Sequence, residues 1–448
     1  MATRREAGRA AREILARAEQ ATWHAATGRD ALARLHAADA QRIPALLPLR
    51  YKRMRADPLA YLRGTAALMA ADLGAQPHTG LIVQLCGDAH LFNFGSYAGP
   101  DGTPVFDVND FDETLPGPFE WDVKRLATSL MLADRDSGHA LARRAVHAYR
   151  MQMAAFAAMP PLKVWRSRVD LEAAIDSITP RAVRRRERAR LHDRLSVSRD
   201  LAARLVAGDG TLRLPERPPA VFRLGPEEGI AHAAFATWLD GMPTEAHALL
   251  DRFALRDVAF KAVGIGSVGT FCALGLFADA DGNALILQLK QGLPSVLEPF
   301  AGPSRLLNAG QRVVVGQRIM QAVSDPLLGW SAPNHDGKQF YVRQLKDARV
   351  SSLGGQIEAQ ALRAYAGLCG RTLARAHARG GDAATLAGYM GDADMFEASV
   401  GDFAQSYAAQ VETDFAAFAK AVDAGELPSS DAPVSDAPVS DVLTREGD

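Results

Sequence analysis

The fold of this chain is decided by two short segments that carry carboxylates, LCGDAHLFNFG (residues 85–95) and VFDVNDFDE (residues 105–113). Each segment begins in an apolar, strand-favouring run and then turns polar. The sequence GPDG at residues 99–102 lies between them and is typical of a turn. This pattern predicts a hairpin or two neighbouring strands. Asp88, Asn93 and Asp110 would then lie close together at one end of a sheet.

This grouping of polar residues has a chemical use. A carboxylate in a small loop, here Asp88, can orient a hydroxyl group and accept its proton. Asn93 and Asp110 carry oxygen ligands of the kind that Mg²⁺ prefers. One base and two magnesium ligands make up the catalytic half of a phosphoryl-transfer site. The alternative is that these residues only form turns, because Asp and Asn at strand ends often hydrogen-bond their own backbone.

The two segments resemble the catalytic region of the kinase-like antibiotic and choline phosphotransferases. The motif of that family is His-Gly-Asp-x-His-x-x-Asn, followed by a strand and Asp-Phe/Trp-x-Asp. The matching residues are Gly87, Asp88, His90, Asn93, Asp110, Phe111 and Asp112, whereas Cys86 stands in place of the first His. The resemblance implies that Asp88 is the catalytic base. It also implies that Asn93 and Asp110 bind magnesium, with Asp112 as a possible auxiliary ligand.

A second informative segment is GIGSVG at residues 264–269. A Gly-x-Gly-x-x-Gly pattern serves a dinucleotide-binding fold when a helix follows it, and a kinase small lobe when strands follow it. Here residues 270–277 favour a strand, residues 278–283 a turn and residues 284–290 a second strand that ends in Lys290. The kinase arrangement is therefore favoured over a glycine-rich hairpin with a surface lysine. The residues expected to bind the phosphates of ATP are Gly264, Gly266, Ser267, Gly269 and Lys290.

These parts occur in an unusual order, because a standard kinase has its glycine loop and lysine before the catalytic loop. The order predicts an α+β, bilobal, protein-kinase-like fold that is circularly permuted, with a mostly helical large lobe and a small antiparallel β lobe. The whole pattern is similar to an uncharacterised bacterial family known as domain of unknown function 2252, over nearly all of residues 40–420. The predicted divisions are 1–250 (N-terminal helices and the catalytic-loop part of the large lobe), 251–350 (β lobe), 351–425 (helices that complete the large lobe) and 426–448 (disordered tail).

Three features near the predicted site have more than one interpretation. The usual partner of the nucleotide-binding lysine is a glutamate on the next helix, but residues 304–324 contain no acidic residue, so Glu298 is the only candidate. Asp122 fits the family position that braces the catalytic loop from below, which is a structural role. Basic residues before the first carboxylate segment either attract an anionic substrate or form a solvated helix surface; they are Arg50, Lys52, Arg53, Arg55 and Arg63.

Composition narrows the choice of partners. The formal net charge is −1, which offers no overall basic field for nucleic acid. The basic run at residues 181–190 lacks interleaved aromatic residues and favours a solvated helix face. The three cysteines have neither a disulfide framework nor zinc-ligand spacing, which fits a reducing compartment. With no run near the ~18 apolar residues of a membrane span, the sequence predicts a cytoplasmic protein without nucleic-acid or membrane partners.

The sequence therefore predicts an ATP- and Mg²⁺-dependent phosphotransferase whose partners are a nucleotide and a small hydroxyl-bearing acceptor. An alternative is a nucleotide-binding pseudokinase or scaffold with little turnover, since the first His and the helix Glu are both missing. A third interpretation, a metal-dependent phosphohydrolase that uses only the carboxylates, leaves the glycine loop unexplained.

Overall fold

The fold is seen in a computed structural model, which describes residues 2–100, 103–169, 171–176, 181, 184–186, 188–189, 212–223, 225–262, 264–334, 336–345 and 359–430. The helices are α1 (Ala2–Ile14), α2 (Ala31–Asp39), α3 (Leu47–Met54), α4 (Pro58–Gly64), α5 (Ala66–Gly74), α6 (Phe119–Ala133), α7 (Gly138–Ala157), α8 (Pro161–Trp165), α9 (Leu171–Asp176), α10 (Glu228–Asp240), α11 (Thr244–Leu250), α12 (Glu298–Ala301), α13 (Ala309–Met320), α14 (Ala359–Gly380), α15 (Ala383–Met390) and α16 (Met395–Asp423). The strands are β1 (Ile82–Leu85), β2 (Phe94–Ala98), β3 (Pro104–Val108), β4 (Leu115–Pro118), β5 (Val221–Phe222), β6 (Ala254–Lys261), β7 (Cys272–Ala278), β8 (Ala284–Gly292), β9 (Gly329–Trp330) and β10 (Gln339–Gln344). The fold is thus α+β, as the sequence predicts.

Short polar side chains start several of these helices. Asp57 accepts a hydrogen bond from the Ala60 N–H and is followed by proline at the first helical position of α4. Asp30, Asn308 and Asp382 cap α2, α13 and α15 in the same way. These caps satisfy N–H groups that the first helical turn leaves without a partner.

The largest sheet is antiparallel and has the strand order β5-β6-β7-β8-β10-β9. Successive side chains of a strand point to opposite faces. Leu287 and Leu289 of β8 therefore face a core on one side of the sheet, while Lys290 lies on the other face. There Lys290 is paired across the ladder with Cys272 on β7 and Tyr341 on β10. The strand, turn and strand predicted after the glycine loop are confirmed.

Two separate hydrophobic cores flank this region. The first is built from helices near both ends of the chain, including α4 to α7 and α14 to α16, together with β1 and β3. The second lies between the large sheet and α10, with Phe235 and Trp238 packed against Phe277. Leu46 and Leu49 from the N-terminal helices also enter the second core. The N-terminal segment thereby spans the junction between the two cores.

The carboxylate segments form two nested antiparallel ladders. Strand β1 pairs with β4, so that Leu85 lies opposite Leu115, and inside this ladder β2 pairs with β3. The hairpin predicted around residues 99–102 is present, but its first strand is β2 and not the apolar run that ends at Leu85, which pairs with β4. Strand β2 lies opposite β3 from Phe94 to Ala98, and beyond it the Gly99 N–H donates to the Thr103 carbonyl at 2.8 Å. The two connections between the ladders, residues 86–93 and 109–114, consequently face each other.

Two further predictions concern chain segments away from this region. In the described residues of the basic run, the backbone is helical and the side chains are exposed apart from Arg184, in agreement with a solvated helix face; residues 182, 183, 187 and 190 lie outside the description. The predicted tail starts at residue 426, yet Leu427 is only 4% exposed and joins the first core. Residues 431–448 of that prediction lie outside the described residues. The other predicted domain boundaries stay predictions.

Candidate active site

A cavity of about 530 Å³ lies where the two facing connections, the glycine loop and the N-terminal helices meet. Of the residues predicted to act as the base, to bind magnesium or to bind phosphate, those that line it are Asp88, Asn93, Asp110, Asp112, Gly264, Gly266, Ser267 and Lys290. Gly269 is not among the lining residues, and its carbonyl accepts a hydrogen bond from the Ile43 N–H instead. Two segments far apart in the sequence thus share one cavity.

Asp88 is held by its neighbours in a defined orientation. The Arg125 guanidinium donates to Asp88 Oδ1 at 2.6 Å, and His90 Nε2 lies 3.6 Å from Oδ2. Burial raises the pKa of Asp88, but neighbouring charges led by Arg125 outweigh it and leave the pKa below its usual range. Burial also lowers the pKa of His90 to about 3, so this imidazole is neutral at pH 7. Asp88 is therefore an ionised carboxylate with one oxygen fixed by arginine.

Helix α6 supports the loop that carries Asp88. Asp122 accepts hydrogen bonds from the N–H groups of Cys86 at 2.8 Å and Gly87 at 3.0 Å. His377 of α14 lies 3.1 Å from the same carboxylate, and its other ring nitrogen contacts the Tyr149 hydroxyl at 2.9 Å. The bracing role predicted for Asp122 is confirmed. The loop has Cys86 where the phosphotransferase motif has its first histidine. A buried imidazole nevertheless lies beneath the loop, because α14 contributes His377.

Gly87 allows the two connections to approach each other. Its φ is +83°, a conformation that side chains rarely adopt, and a Cβ there would lie 2.4 Å from the Glu113 carbonyl oxygen. Nearby, the Asn109 N–H donates to the Asn93 carbonyl at 2.8 Å. The close packing of the two connections is what brings Asn93 and Asp110 into the same cavity wall.

The predicted magnesium ligands fit a site that is completed by phosphate and water. The Asn93 amide nitrogen donates to the Asp88 carbonyl at 2.6 Å, which leaves the amide oxygen without a protein donor in the described part of the chain. Asp110 Oδ1 lies 3.6 Å from Lys290 Nζ. Among the described residues, no group of three or more His, Cys, Asp or Glu side chains could hold a metal by itself. Mg²⁺ commonly takes only one or two protein ligands and keeps water and phosphate oxygens as the others.

Lys290 pairs with aspartates of the second carboxylate segment (residues 105–113) and not with a helix glutamate. Its ammonium group contacts Asp112 Oδ2, and the Tyr341 hydroxyl donates to Asp112 Oδ1 at 2.5 Å. Burial lowers the pKa of Lys290, but Asp110 and Asp112 outweigh it and raise the pKa above its usual range. Glu298, the candidate partner from the sequence, instead accepts a hydrogen bond from the Ser295 N–H at 3.1 Å. Asp112 therefore provides the counter-charge to the lysine, and its role as a metal ligand stays a prediction.

Three arginines that precede the first carboxylate segment hold the glycine loop by donating hydrogen bonds to its carbonyl groups. Arg53 donates to the Gly264 carbonyl at 2.6 Å, Arg50 to that of residue 265 at 2.9 Å and Arg42 to that of residue 268 at 2.6 Å. Within the described residues, no backbone N–H group from residue 264 to residue 269 donates to a protein acceptor. Successive N–H groups of this kind can bind phosphate oxygens. A Cβ on Gly266 would lie 4.0 Å from Asp88 Oδ2, so the loop directly covers the predicted base.

Glu113 is a further acidic group in the cavity wall. Its Oε2 accepts a hydrogen bond from the Val296 N–H at 2.8 Å. Burial among protein atoms raises the pKa of Glu113 to about 7, although Arg312 lowers it. Arg312 of α13 also donates to the carbonyls of Asp112 and Thr114, both at less than 3 Å, and so fixes this connection against the sheet.

Several functional residues were not found by reasoning on the sequence. Arg125 follows Asp122 by three positions, which places both on one face of α6 and would have indicated a shared target. Residues 34–67 also contribute to the cavity wall, and apart from the basic residues among them the sequence predicted no function for this segment. Small residues there, such as Ala37 and Ala67, leave room beside Asp88. Their helical spacing alone does not distinguish a cavity wall from ordinary helix packing.

The structure and site thus define an α+β protein with a carboxylate-and-lysine cavity beneath a glycine loop. The family model described as "Uncharacterized protein conserved in bacteria (DUF2252)" matches residues 42–421, so the chain belongs to that family, as its motifs predict. No curated protein and no solved structure matches the chain. In the described part of the chain, no helix combines the length and apolar character needed to cross a bilayer. A cytoplasmic location stays a prediction.

Proposed function

We propose that this protein is a magnesium-dependent phosphotransferase that moves the terminal phosphoryl group of a nucleoside triphosphate, ATP on the sequence resemblance, to the hydroxyl of a small molecule. The observation that carries the proposal is the shared cavity. Asp88, Asn93 and Asp110 line it from one segment, and the glycine loop and Lys290 line it from another. Two half-sites that the sequence predicts separately are complementary parts of one phosphoryl-transfer site.

Each group has a defined task in this proposal. Asp88 would bind the acceptor hydroxyl through Oδ2 and take its proton, while Arg125 keeps Oδ1 occupied. The free N–H groups of the glycine loop and the ammonium of Lys290 would hold the phosphates. Asn93 and Asp110 would hold Mg²⁺, which neutralises phosphate charge when it is bound. Catalysis by this arrangement depends on positioning and on charge stabilisation.

The arrangement of the chain also supports a circularly permuted, bilobal, kinase-like architecture. The large sheet follows the catalytic segment in sequence, and α14 then returns to pack against β1. His377 near the end of α14 contacts Asp122 beneath the catalytic loop. In a standard kinase the corresponding helix directly precedes that loop, so the permutation would preserve the spatial relationship while it changes the order in the chain.

The first test is nucleotide binding by calorimetry, with and without Mg²⁺, on the wild type, Lys290→Ala and Asp110→Ala. We expect a magnesium-dependent affinity that falls about tenfold or more in both variants, because each removes a charged contact. Lys420→Met is the matched control, since Lys420 is exposed on α16 and is not among the residues that line the cavity. Absence of nucleotide binding by the wild type would contradict the proposal.

A second candidate function is supported by the pairing of Lys290 with Asp110 and Asp112. The lysine and the predicted metal ligand neutralise each other, which is an arrangement that a nucleotide-binding pseudokinase or scaffold could retain without turnover. This candidate predicts nucleotide binding with no release or transfer of phosphate. Detection of a phosphorylated product, or of phosphate release that is lost in Asp88→Asn, would exclude it.

A further inference from the structure

We infer that the acceptor of this site carries an anionic group, and that Arg63 binds it. The inference rests on the proposed function and deepens it by giving the substrate class: a small hydroxylated molecule that bears a phosphate or a carboxylate. The shared chemistry is an oxyanion placed beside Asp88.

Each carboxylate of the cavity is already engaged by protein groups. Asp88 is paired with Arg125, and Asp110 and Asp112 are paired with Lys290. Glu113 and Glu298 accept backbone N–H groups. Within the described residues, none of these carboxylates forms a hydrogen bond or an ion pair with Arg63.

The cations of the cavity divide into two groups. Lys290 and Arg343 lie on the sheet, and Arg42 and Arg50 donate to the glycine loop, so all four have protein partners. The guanidinium of Arg63 differs, because it donates to no protein acceptor in the described part of the chain. The side chain of Arg34, exposed on α2, likewise makes no hydrogen bond with a described residue. Both arginines line the cavity on the side of the N-terminal helices.

Arg63 is also built into a fixed position. Its guanidinium lies over the Phe92 ring, 4.6 Å from the ring centroid, and Phe92 follows Asp88 by four residues. A guanidinium stacked on an aromatic ring keeps its N–H edge available for an oxyanion. The Arg63 carbonyl is 3.4 Å from where a Cβ on Gly266 would lie, so this segment sits beneath the glycine-loop tip. Burial lowers the pKa of Arg63 and outweighs the attraction of Asp88 and Asp57, so an oxyanion of a ligand would offset a cost that these carboxylates leave.

The location of Arg63 favours the acceptor over the nucleotide as the source of that charge. Its neighbours, Phe92 and Asp88, belong to the connection that carries the proposed base. The phosphates of the nucleotide are already served by Lys290 and by the N–H groups of the glycine loop. An acceptor whose hydroxyl reaches Asp88 would place a neighbouring oxyanion within range of Arg63.

The sequence leaves open whether the basic residues before the first carboxylate segment attract a substrate or form a solvated surface. The structure shows that these residues have different surroundings. Arg50 and Arg53 hold the glycine loop, and Arg55 pairs with Asp423 at 2.9 Å on the outer surface. Arg63 alone of the five predicted basic residues lines the cavity without a protein acceptor, within the part of the chain that the structure describes. It is therefore the residue to substitute.

The experiment uses the full chain saturated with Mg²⁺ and a non-hydrolysable ATP analogue. Glycerol 3-phosphate, glycerate and neutral glycerol are titrated at constant ionic strength, and binding is read from the shift in thermal midpoint. We expect at least one of the two anions to bind roughly tenfold or more tightly than glycerol, and Arg63→Gln to abolish that preference. A preference for glycerol 3-phosphate identifies a phosphate, and a preference for glycerate identifies a carboxylate.

The control is Arg55→Gln, which removes the same charge outside the cavity and should keep the preference. Three results overturn the inference: neither anion binds more tightly than glycerol, the preference survives in Arg63→Gln, or the anion displaces the nucleotide analogue. The last result would mean that Arg63 serves the nucleotide. If the wild type fails to bind the analogue at all, the proposed function itself fails, so the two failures are distinguishable.

Discussion

Arg125 fixes one oxygen of Asp88 and leaves the other directed towards the glycine loop. The Arg125 Nε donates to Asp88 Oδ1 at 2.6 Å, and a second guanidinium nitrogen donates to the Leu62 carbonyl at 2.9 Å. Gly266 approaches the opposite oxygen, Oδ2. One arginine on α6 thereby orients the predicted base and is the largest of the neighbouring charges that lower its pKa.

Arg125 is accordingly predicted to be a positioning residue. Burial raises the pKa of Asp88 and Arg125 lowers it, so Arg125→Met should raise that pKa and move the acidic limb of the ATP hydrolysis profile to higher pH. Removal of one member of this pair should also lower stability by about 3 kcal/mol or more. Arg125→Lys keeps the charge and should restore part of the shift. A purely structural role would change stability and leave the acidic limb in place.

Asp88→Asn tests the role of the base itself. The amide cannot accept the acceptor proton, so we expect phosphoryl transfer or background ATP hydrolysis to fall by roughly 10²–10⁴-fold. Nucleotide affinity should change by less than about twofold, because the phosphates are held elsewhere. Calorimetry and a phosphate-release assay provide the two measurements. Asp423→Asn, at an exposed pair with Arg55, is the control, and equal turnover of Asp88→Asn and wild type would contradict the assignment.

Gly266→Ala probes the space between the glycine loop and Asp88. Gly266 does not have a left-handed backbone, and the new methyl group would lie 3.4 Å from the Arg63 carbonyl oxygen. We expect stability to change by less than about 1 kcal/mol, while turnover falls about tenfold or more because the methyl occupies the transfer region. Gly229→Ala is the matched control, since a Cβ there meets no atom within 4 Å. A fully active Gly266→Ala enzyme would show that transfer does not occur under this residue.

Glu113 should make folding stability depend on pH. Burial raises the pKa of Glu113 to about 7, above its unfolded value, so the folded protein holds this proton more tightly. Its contribution to the free energy of unfolding is therefore full below about pH 4.5 and is lost as the pH rises towards 7. Glu113→Gln should flatten this decline by on the order of 1–2 kcal/mol between pH 5 and pH 8, after allowance for solvent screening. Urea unfolding of both proteins at the two pH values measures the difference, and parallel profiles would contradict the prediction.

Local sequence signals account for much of the fold and for the types of residue that line the cavity. The glycine segment followed by two apolar runs predicts a loop and hairpin, and β7 and β8 form there because alternating apolar side chains can be buried on the sheet. The carboxylates and Asn93 follow strand-favouring runs in the sequence, which predicts that they lie in connections at the same end of the paired strands. These features depend on residues within a few positions of one another, so the sequence by itself determines them.

Tertiary structure alone decided which distant groups meet. Strand β1 pairs with β4 and not with β3, Lys290 meets Asp112 across 178 residues, and His377 reaches Asp122 across 255. The local sequence does not select one partner for each of these groups, because the chain contains many basic and acidic residues. The partner is selected by the way in which the two cores pack. The free energy of burial and the pairing of charges select among them only once the helices and the sheet are in contact. For that reason the sequence predicts a phosphoryl-transfer site, whereas only the packed structure places Arg125 against Asp88 and Arg63 near it.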